Sequence, residues 1–454
     1  MILRISNLLL LLVWLALVGE SHATQTNSLV WDATADLVTA NVRGEALFPL
    51  LEDIAHQTGW HIFVEPGANR KADVKFSNLP RGEALKKLLG DLNFAFVPQT
   101  NEADHLYVFT TTIRAATQRV NIVSTNPAAR AKHTPNELLI KLKPGTDADA
   151  FAKALGAKVT GRNDQLGLYK LQFDDAAATD AALAKLKTNT DVAQVDYNYL
   201  FEPPVAPQKL ATAPVGPVSL TLNPPPDTGR VIVGLVDTAI QPLGAELDKF
   251  LLKQISINGD YVASGGYPTH ATSMAETILR AIAQQNSGTS VQILPADIYG
   301  NSETATTWNL ILGLQAVANG GANIINLSLG GQNGSPILDD FLNQMLARGI
   351  VIFAATGNSG ANTVNSPASD PGVIAVAAKQ GSQLAPYSNY GSGTALALPG
   401  QSVIYLNGQA YIVQGTSPAT AYATGIAAGT KSGSSQTWAQ ILATMQKQFP
   451  VPPK

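Results

Sequence analysis

The chain contains no cysteine. That removes disulfides, a cysteine nucleophile, thiolate metal ligands and the residue on which a bacterial lipoprotein anchor is built. Stability has to come from packing. Charge is scarce as well: Asp, Glu, Lys and Arg make up 14% of the residues, the net charge is −3 and the isoelectric point is near 6.1. A general nucleic-acid binder needs a basic surface, so no nucleic-acid partner is expected. Histidine is rare, six in all, and beyond residue 133 only His270 remains. The apolar run at residues 8–18 is too short for a comfortable membrane span.

What is present begins with that run. Arg4 ahead of it and Ser21-His22-Ala23 behind it read as a signal peptide over residues 1–23. Export is expected, to the periplasm or out of the cell, with the mature chain starting near Thr24. At 454 residues and 47.7 kDa, with 45% hydrophobic residues, the chain is globular and too long for one ordinary core.

Residues 24–114 contain a small repeat. Arg43-Gly44-Glu45-Ala46-Leu47 recurs as Arg81-Gly82-Glu83-Ala84-Leu85, and each copy is expected to open a helix. Leu47, Leu50, Leu51 and Ile54 fall at helical spacing, as do Leu85, Leu88, Leu89 and Leu92. The stretches HIFV (61–64) and FAFV (94–97) and the segment 107–109 read as strands of a small α+β domain. About residues 36–112 resemble the short N-terminal domain of secretins and TonB-dependent receptors, which implies a cell-envelope partner; a generic α+β module is the alternative.

Residues 134–204 hold a second α+β unit. Strands are expected at 137–143, 168–173 and 192–199, and helices at 147–155 and 176–186, close to a split βαβ arrangement. Residues 205–228 are proline-rich, with Pro207, Pro214, Pro217, Pro224, Pro225 and Pro226, and read as an extended, exposed linker open to nicking. From residue 229 to 454 the pattern changes. VIVGLV (231–236), NIINLSL (323–329), IVIFAA (350–355) and VIAVAA (373–378) are near-continuous apolar runs, as strands covered on both faces require. Helical patterns at 271–284, 304–319 and 336–347 alternate with them. The fold class is therefore α/β, a parallel sheet with helices on both faces, preceded by two small α+β domains.

Ligands of such sheets bind beyond the carboxyl ends of the strands. Asp237 follows VIVGLV directly, Asn358 lies just beyond IVIFAA, His270 heads the helical stretch at 271, and Ser417 precedes a run of small residues. Ser417-Pro418 alone reads as a helix cap followed by proline at the first helical position. A serine hydroxyl becomes a nucleophile only beside a base, and the base needs a carboxylate to fix its tautomer. In this half of the chain the base can only be His270.

Asp237-Thr238-Ala239-Ile240 resembles the aspartate motif of the subtilisin-like serine proteases, the subtilases, and His270-Ala271-Thr272 resembles their histidine motif. Ser328-Leu329-Gly330-Gly331 is similar to their substrate-binding segment, Ala355-Thr356-Gly357-Asn358 to their oxyanion-hole motif, and Gly415-Thr416-Ser417 to their nucleophile motif. The order Asp, His, Asn, Ser is the family's, and the match covers about residues 206–440. The resemblance implies a subtilisin-like serine endopeptidase acting on protein or peptide substrates. Ser417 would be the nucleophile, His270 the base, Asp237 its orienting carboxylate and Asn358 an oxyanion donor, with Ser328, Leu329, Gly330 and Gly331 binding substrate. It also makes residues 134–204 an inhibitory propeptide, removed by self-cleavage between about residues 199 and 226. No cofactor is expected; the family allows a bound calcium, although no calcium loop stands out. The chain departs from the pattern at Ala239 and Ala271, where glycine is usual, and at Ser273, Ala421 and Tyr422. Those departures and the N-terminal module favour the competing reading, a catalytically silent subtilase-fold protein that binds envelope partners. A Gly-x-Ser-x-Gly esterase elbow is absent around Ser417.

Overall fold

Runs such as VIVGLV and IVIFAA carry almost no polar residue, and a computed structural model of the protein shows why. They are inner strands of a sheet covered on both sides. The structure describes residues 28–32, 36–65, 67–98, 104–116, 118–120, 133–201, 207–211, 216–225, 230–261, 263 and 266–453. The expected signal peptide, 1–23, lies outside the described residues, as do parts of the 205–228 linker.

The large sheet runs in the order Ile255–Ser256, Gln292–Asp297, Ile232–Asp237, Ile324–Leu327, Val351–Ala355, Ile374–Gln380, Gln383–Leu384. Thr394–Pro399 also pairs with Ile374–Gln380, and every pairing except that of Gln383–Leu384 is parallel. Helices His270–Ala283 and Thr416–Ser432 cover one face, with Met274, Ile278, Ile282, Ala423 and Ala427 in its core. Helices Thr307–Asn319 and Pro336–Ala347 cover the other through Leu310, Leu314, Leu338 and Leu342.

One inner strand of the large sheet has no counterpart in the sequence reading. Gln292–Asp297 contains Pro295, which cannot donate to a ladder and so reads against a strand. It is tolerated because Pro295 falls between the Leu251–Ile293 bridge and the Ile255–Ala296 pairing, where no neighbour needs its N–H.

The second unit has four strands rather than three. His133–Leu142, Lys158–Asn163, Leu168–Gln172 and Val192–Phe201 form an antiparallel sheet with helices Ala148–Ala154 and Ala176–Leu186. Lys158–Asn163 (KVTGRN) was not expected to be a strand, because its charged residues and glycine give no strand signal. Asp147 and Asp175 cap the two helices by accepting from backbone N–H groups two and three residues on. This sheet continues onto the large domain, where Leu200 pairs with Thr306 and Phe201 with Ala305. Asn198 Oδ1 accepts from the Trp308 N–H at 3.0 Å, and Lys141 is paired with Asp340.

In the N-terminal module each copy of the repeat leads into a helix, but at a different point. Helix Arg81–Leu89 begins at the second copy, but in the first copy residues 43–46 end the strand Leu37–Ala46 and the helix starts at Leu47. Gly44 has φ +62° at a register shift between Val42 and Glu45, so the first glycine serves a bulge. The strand Leu37–Ala46 lies between Ser28–Asp32 and Lys71–Pro80, and His61–Val64 belongs to a separate four-stranded sheet.

The linker is also not free. Gln208–Lys209 pairs with the hairpin strand Gln409–Gln414, Thr221–Leu222 pairs with Gly288–Thr289, and Leu220 is buried. Proline blocks helix in this segment without blocking edge pairing, so the described parts lie against the large domain instead of forming an exposed connection. Among the described residues no helix is long and apolar enough to cross a membrane.

Candidate active site

Asp237 closes its strand, and its carboxylate accepts from the Thr238 N–H at 2.7 Å. His270 is the first residue of a helix capped by Thr269, whose hydroxyl accepts from Thr272 N–H at 3.2 Å. The cap itself is braced by Gln241, which accepts from the Thr269 N–H and the Thr272 hydroxyl. These two ends bring His270 Nδ1 to 2.8 and 2.9 Å from the Asp237 oxygens, with the residues only 5% and 1% exposed. The other ring nitrogen, Nε2, is buried and has no hydrogen-bond partner. With Nδ1–H donated to the carboxylate, Nε2 presents its lone pair.

Ser417 is placed differently from the cap expected of Ser-Pro. The helix runs Thr416–Ser432, Gly415 is the N-cap with no side-chain cap bond, and Ser417 lies inside the first turn. The cap is supplied from another loop: Asn358 Oδ1 accepts from the Thr416 N–H at 2.8 Å and from its hydroxyl at 3.0 Å. The Asn358 side chain lies against Gly415, where a built Cβ would come 3.3 Å from both Oδ1 and Nδ2. Gly415 itself has φ +144°, so glycine is required twice over, by backbone and by space. The Ser417 hydroxyl donates to the Ser328 carbonyl at 3.1 Å, and the Ser328 hydroxyl donates to the Ser417 carbonyl at 3.1 Å. The nucleophile candidate is thus locked to the substrate-binding candidate by a reciprocal pair. Behind it, Asn326 donates to the Ser328 hydroxyl and accepts from Thr424.

Ser328, Leu329, Gly330 and Gly331 continue from strand Ile324–Leu327, and Gly331 exchanges two backbone hydrogen bonds with Ser366. A Cβ on Gly331 would come within 3.5 Å of the Phe201 ring, so the last strand of the second unit reaches this edge. The structure thus joins Asp237 to His270, Ser417 to Ser328, and Asn358 to Thr416 beside Ser417.

Sequence reasoning missed Asn389. Its Oδ1 accepts from Ser359 N–H, the Ser359 hydroxyl and Ala361 N–H, fixing the turn after Asn358. Nothing in the local sequence SNYGSG marks it. Asp297, paired in register with Asp237, was also missed. It is fully buried, Oδ1 accepts from the Tyr299 and Gly300 N–H groups, and Oδ2 has no partner. Burial, with the neighbouring Asp237 adding, raises its pKa above the ordinary carboxylate value. The departures at Ala239 and Ala271 sit fully buried, and Ala271 N–H donates to the Thr238 hydroxyl at 3.0 Å. Ser273 bonds back to the Thr269 carbonyl, and Tyr422 donates to Ser402. Their side chains are absorbed in packing. Among the described residues no group of three acidic or histidine side chains is arranged to hold a metal ion.

Comparison with known proteins follows the same division of the chain. Residues 228–448 match the subtilase family, and residues 121–198 match the fervidolysin N-terminal prodomain. The large domain is thus similar to the subtilases over nearly its whole length. Alkaline elastase YaB of Bacillus sp. (strain YaB) is 35% identical over 179 residues, which is 38% of this chain and 47% of the elastase. The chain thus spans about half the length of the first of its curated relatives. The thermophilic serine proteinase of Bacillus sp. (strain AK1) is 27% identical over 321 residues, covering 66% of this chain and 78% of that protein. Among solved structures, fervidolysin from Fervidobacterium pennivorans, described as a keratinolytic enzyme related to subtilisin, shares the fold. Its TM-score is 0.53 at 20% identity, over 69% of this chain and 57% of that one. The four-stranded unit is the part of the chain similar to the fervidolysin prodomain, and it pairs with the large domain through Leu200 and Phe201.

Proposed function

We propose that the protein is an exported, subtilisin-like serine endopeptidase made as a zymogen. The observation that carries this reading is the buried His270–Asp237 pair, with Nδ1 at 2.8 Å from the carboxylate and Nε2 left open. Asp237 holds the imidazole in the tautomer whose Nε2 accepts a proton. Ser417 leaves the Ser328 carbonyl and passes its proton to Nε2 as its oxygen bonds to the substrate carbonyl carbon. The oxyanion takes hydrogen bonds from the Asn358 side-chain amide and from the Ser417 backbone N–H, which lies in a helix's first turn and needs no partner there. The imidazolium then protonates the departing amine as the C–N bond breaks, leaving an acyl-serine. Water repeats the sequence: His270 takes its proton, the hydroxide oxygen adds to the acyl carbon, and Ser417 leaves with the proton returned.

The Ser328 to Gly331 edge offers backbone groups to an extended peptide. Phe201 beside Gly331 supports the prodomain as an occupant of that edge, and hence as an intramolecular inhibitor. The match to peptidases over 228–448 supports the reaction class. One observation favours the silent-scaffold reading: the Ser417 hydroxyl bonds to Ser328 and not to His270. Hydrolysis of a chromogenic peptide decides between the two readings. Wild type with the prodomain removed is expected to turn over and His270→Ala is not; equal, background-level rates in both would leave only the scaffold.

For residues 24–114 we propose a cell-envelope partner. The face of its four-stranded sheet bearing His61, Phe63, His105 and Tyr107, with the Phe63 and Tyr107 rings stacked at 5.2 Å, supports a binding role. Deleting this module is expected to leave peptide hydrolysis intact and to move the protein out of the envelope fraction; unchanged fractionation refutes the assignment.

A further inference from the structure

The prodomain meets the subtilase domain across three carboxylates that have no counter-charge. Asp196, on the prodomain strand Val192–Phe201, is 8% exposed; Oδ1 accepts from the Tyr197 N–H and the Tyr199 hydroxyl, while Oδ2 is buried without a donor. Facing it from the subtilase domain is Ser335, which is 1% exposed. Ser335 sits at the N-cap of helix Pro336–Ala347, yet its hydroxyl makes no cap bond and no other hydrogen bond. Asp339 follows in the first turn of that helix, and its carboxyl faces that of Asp370 closely enough for the two to share a hydrogen bond. Asp370 is 6% exposed, and when ionised neither of its oxygens has a donor.

Every charged group around the cluster is engaged elsewhere. Lys141 is paired with Asp340, and Lys170 with Glu137, which also accepts from Asn198. His133 is stacked on the Tyr197 ring at 3.9 Å, with Nδ1 against the Thr134 carbonyl, and Tyr197 donates to Asp180. Among the described residues the cluster does not converge as a metal-ligand set. Two buried carboxylates, Asp196 and Asp370, with the partly buried Asp339 beside them and no cation, cannot all ionise cheaply. The missing partner is a proton.

We propose that docking of the prodomain on the subtilase domain takes up a proton at the Asp196, Asp339 and Asp370 cluster, so that the docked state tightens in acid and loosens as the pH rises. In the separated prodomain, Asp196 would titrate as an ordinary carboxylate, near about 4. Docking buries it against Ser335, and that burial raises its pKa; the facing Ser335 hydroxyl and the donors at Tyr199 and Tyr197 offset part of the rise, and the Asp339 charge adds a little to it. Burial and then Asp339 hold Asp370 up at about 7. Groups whose pKa is raised by docking favour the docked state fully below their free values. That advantage declines as the pH climbs through the docked value of Asp196, by up to about tenfold per pH unit for the linked proton. The inference concerns docking and depends on no catalytic step.

The test uses the full chain carrying Ser417→Ala, so that self-cleavage plays no part. Hydrogen exchange is followed from about pH 5 to about pH 9 and expressed as protection factors, which removes the intrinsic pH dependence of exchange. Protection in strand Val192–Phe201 and in the first turn of helix Pro336–Ala347 is expected to fall with rising pH, by up to about tenfold per unit, and then to level off. Helix Leu47–Thr58, in the N-terminal module, is the internal reference and is expected to show no such slope. Asp370→Asn and, separately, Asp196→Asn are expected to flatten the slope, with circular dichroism confirming that each is folded. His133→Gln is expected to keep it. A flat wild-type profile, a slope unchanged in both Asn variants, a slope lost with His133, or an equal slope in the reference helix would each overturn the proposal.

Discussion

Gly425 and Gly429 lie one turn apart on the helix that carries Ser417, and alanine at the two positions is expected to act in opposite directions. A Cβ on Gly425 would lie 2.5 Å from the Ile278 carbonyl oxygen and 2.7 Å from the Ala281 Cβ, both on the helix that carries His270. Neither contact is the far end of a flexible side chain, so the two helices must separate by roughly 1 Å to restore ordinary contact distances. Overpacking of this kind costs about 3 kcal/mol at the upper end, and the better helix propensity of alanine offsets about 1 kcal/mol of that. The net loss of about 2 kcal/mol corresponds to about 4–8 °C in Tm for a domain of this size. The same displacement moves Ser417 relative to His270, and a misplacement near 1 Å lowers turnover by about 100-fold. At Gly429 the nearest atoms to a built Cβ, all of Ile282, are 3.4–3.7 Å away, which is ordinary contact. There alanine is expected to be neutral or to add up to about 1 kcal/mol. Thermal unfolding on a Ser417→Ala background gives the stabilities, and the rate of fluorophosphonate labelling in the active chain gives the positioning effect. Equal Tm shifts for the two variants, or labelling unchanged in Gly425→Ala, would refute the claim that this glycine sets the spacing of nucleophile and base.

Asn358→Ala is expected to lower kcat by about 10²–10³-fold, a range that itself comes from a subtilisin, with less change in KM. Steady-state kinetics checks this, and a loss confined to KM would mean that Asn358 only caps the Thr416 helix. Glu276 and Arg280 form a buried pair at 2.9 Å, in which Glu276 also accepts from the Tyr405 N–H and Arg280 donates to the Gly216 carbonyl. Removing one partner, as in Glu276→Ala, leaves the other charge buried and is expected to cost about 3–5 kcal/mol by urea unfolding; a cost below about 1 kcal/mol would show the pair to be solvated. Asp297 has its pKa raised in the fold, so its stabilising contribution is complete below the ordinary carboxylate value and declines as the pH rises through the folded one. Asp297→Asn, which keeps the acceptor for Tyr299 and Gly300, is therefore expected to be at least as stable as wild type at neutral pH and to gain relative stability with rising pH. A relative loss of stability on going alkaline would contradict this.

The sequence was most readable where one physical demand fixed one residue type. Strands buried on both faces need unbroken apolar runs, so Ile232–Asp237 and Val351–Ala355 stand out, and with them the positions of Asp237 and Asn358. A single histidine in the large domain left His270 as the sole base. Where two demands compete, the reading failed. Gln292–Asp297, interrupted by Pro295, went unread as a strand, and Gly44 serves a bulge where its twin Gly82 lies inside a helix. Ser417-Pro418 carries the marks of a helix cap, but the cap comes from Asn358 on a loop far away in sequence. Asn389, Gln241 and the carboxylate cluster of Asp196, Asp339 and Asp370 belong to the same class. Their meaning is set by partners brought together only by the fold, and no local pattern records it. The linker shows the limit from the other side: proline content excludes helix but says nothing about whether an extended segment pairs with an edge, as Gln208–Lys209 does.

The central claim is that Ser417 is a nucleophile activated by His270 and restrained by the prodomain. Its most direct test expresses residues 24–454 as wild type and as Ser417→Ala, following intact mass over time and labelling by a fluorophosphonate probe. The account predicts self-cleavage between the prodomain and the subtilase domain, with one probe molecule bound to the released domain, and loss of both in Ser417→Ala. A folded wild type that takes no label, even after another protease has removed the prodomain, would contradict it.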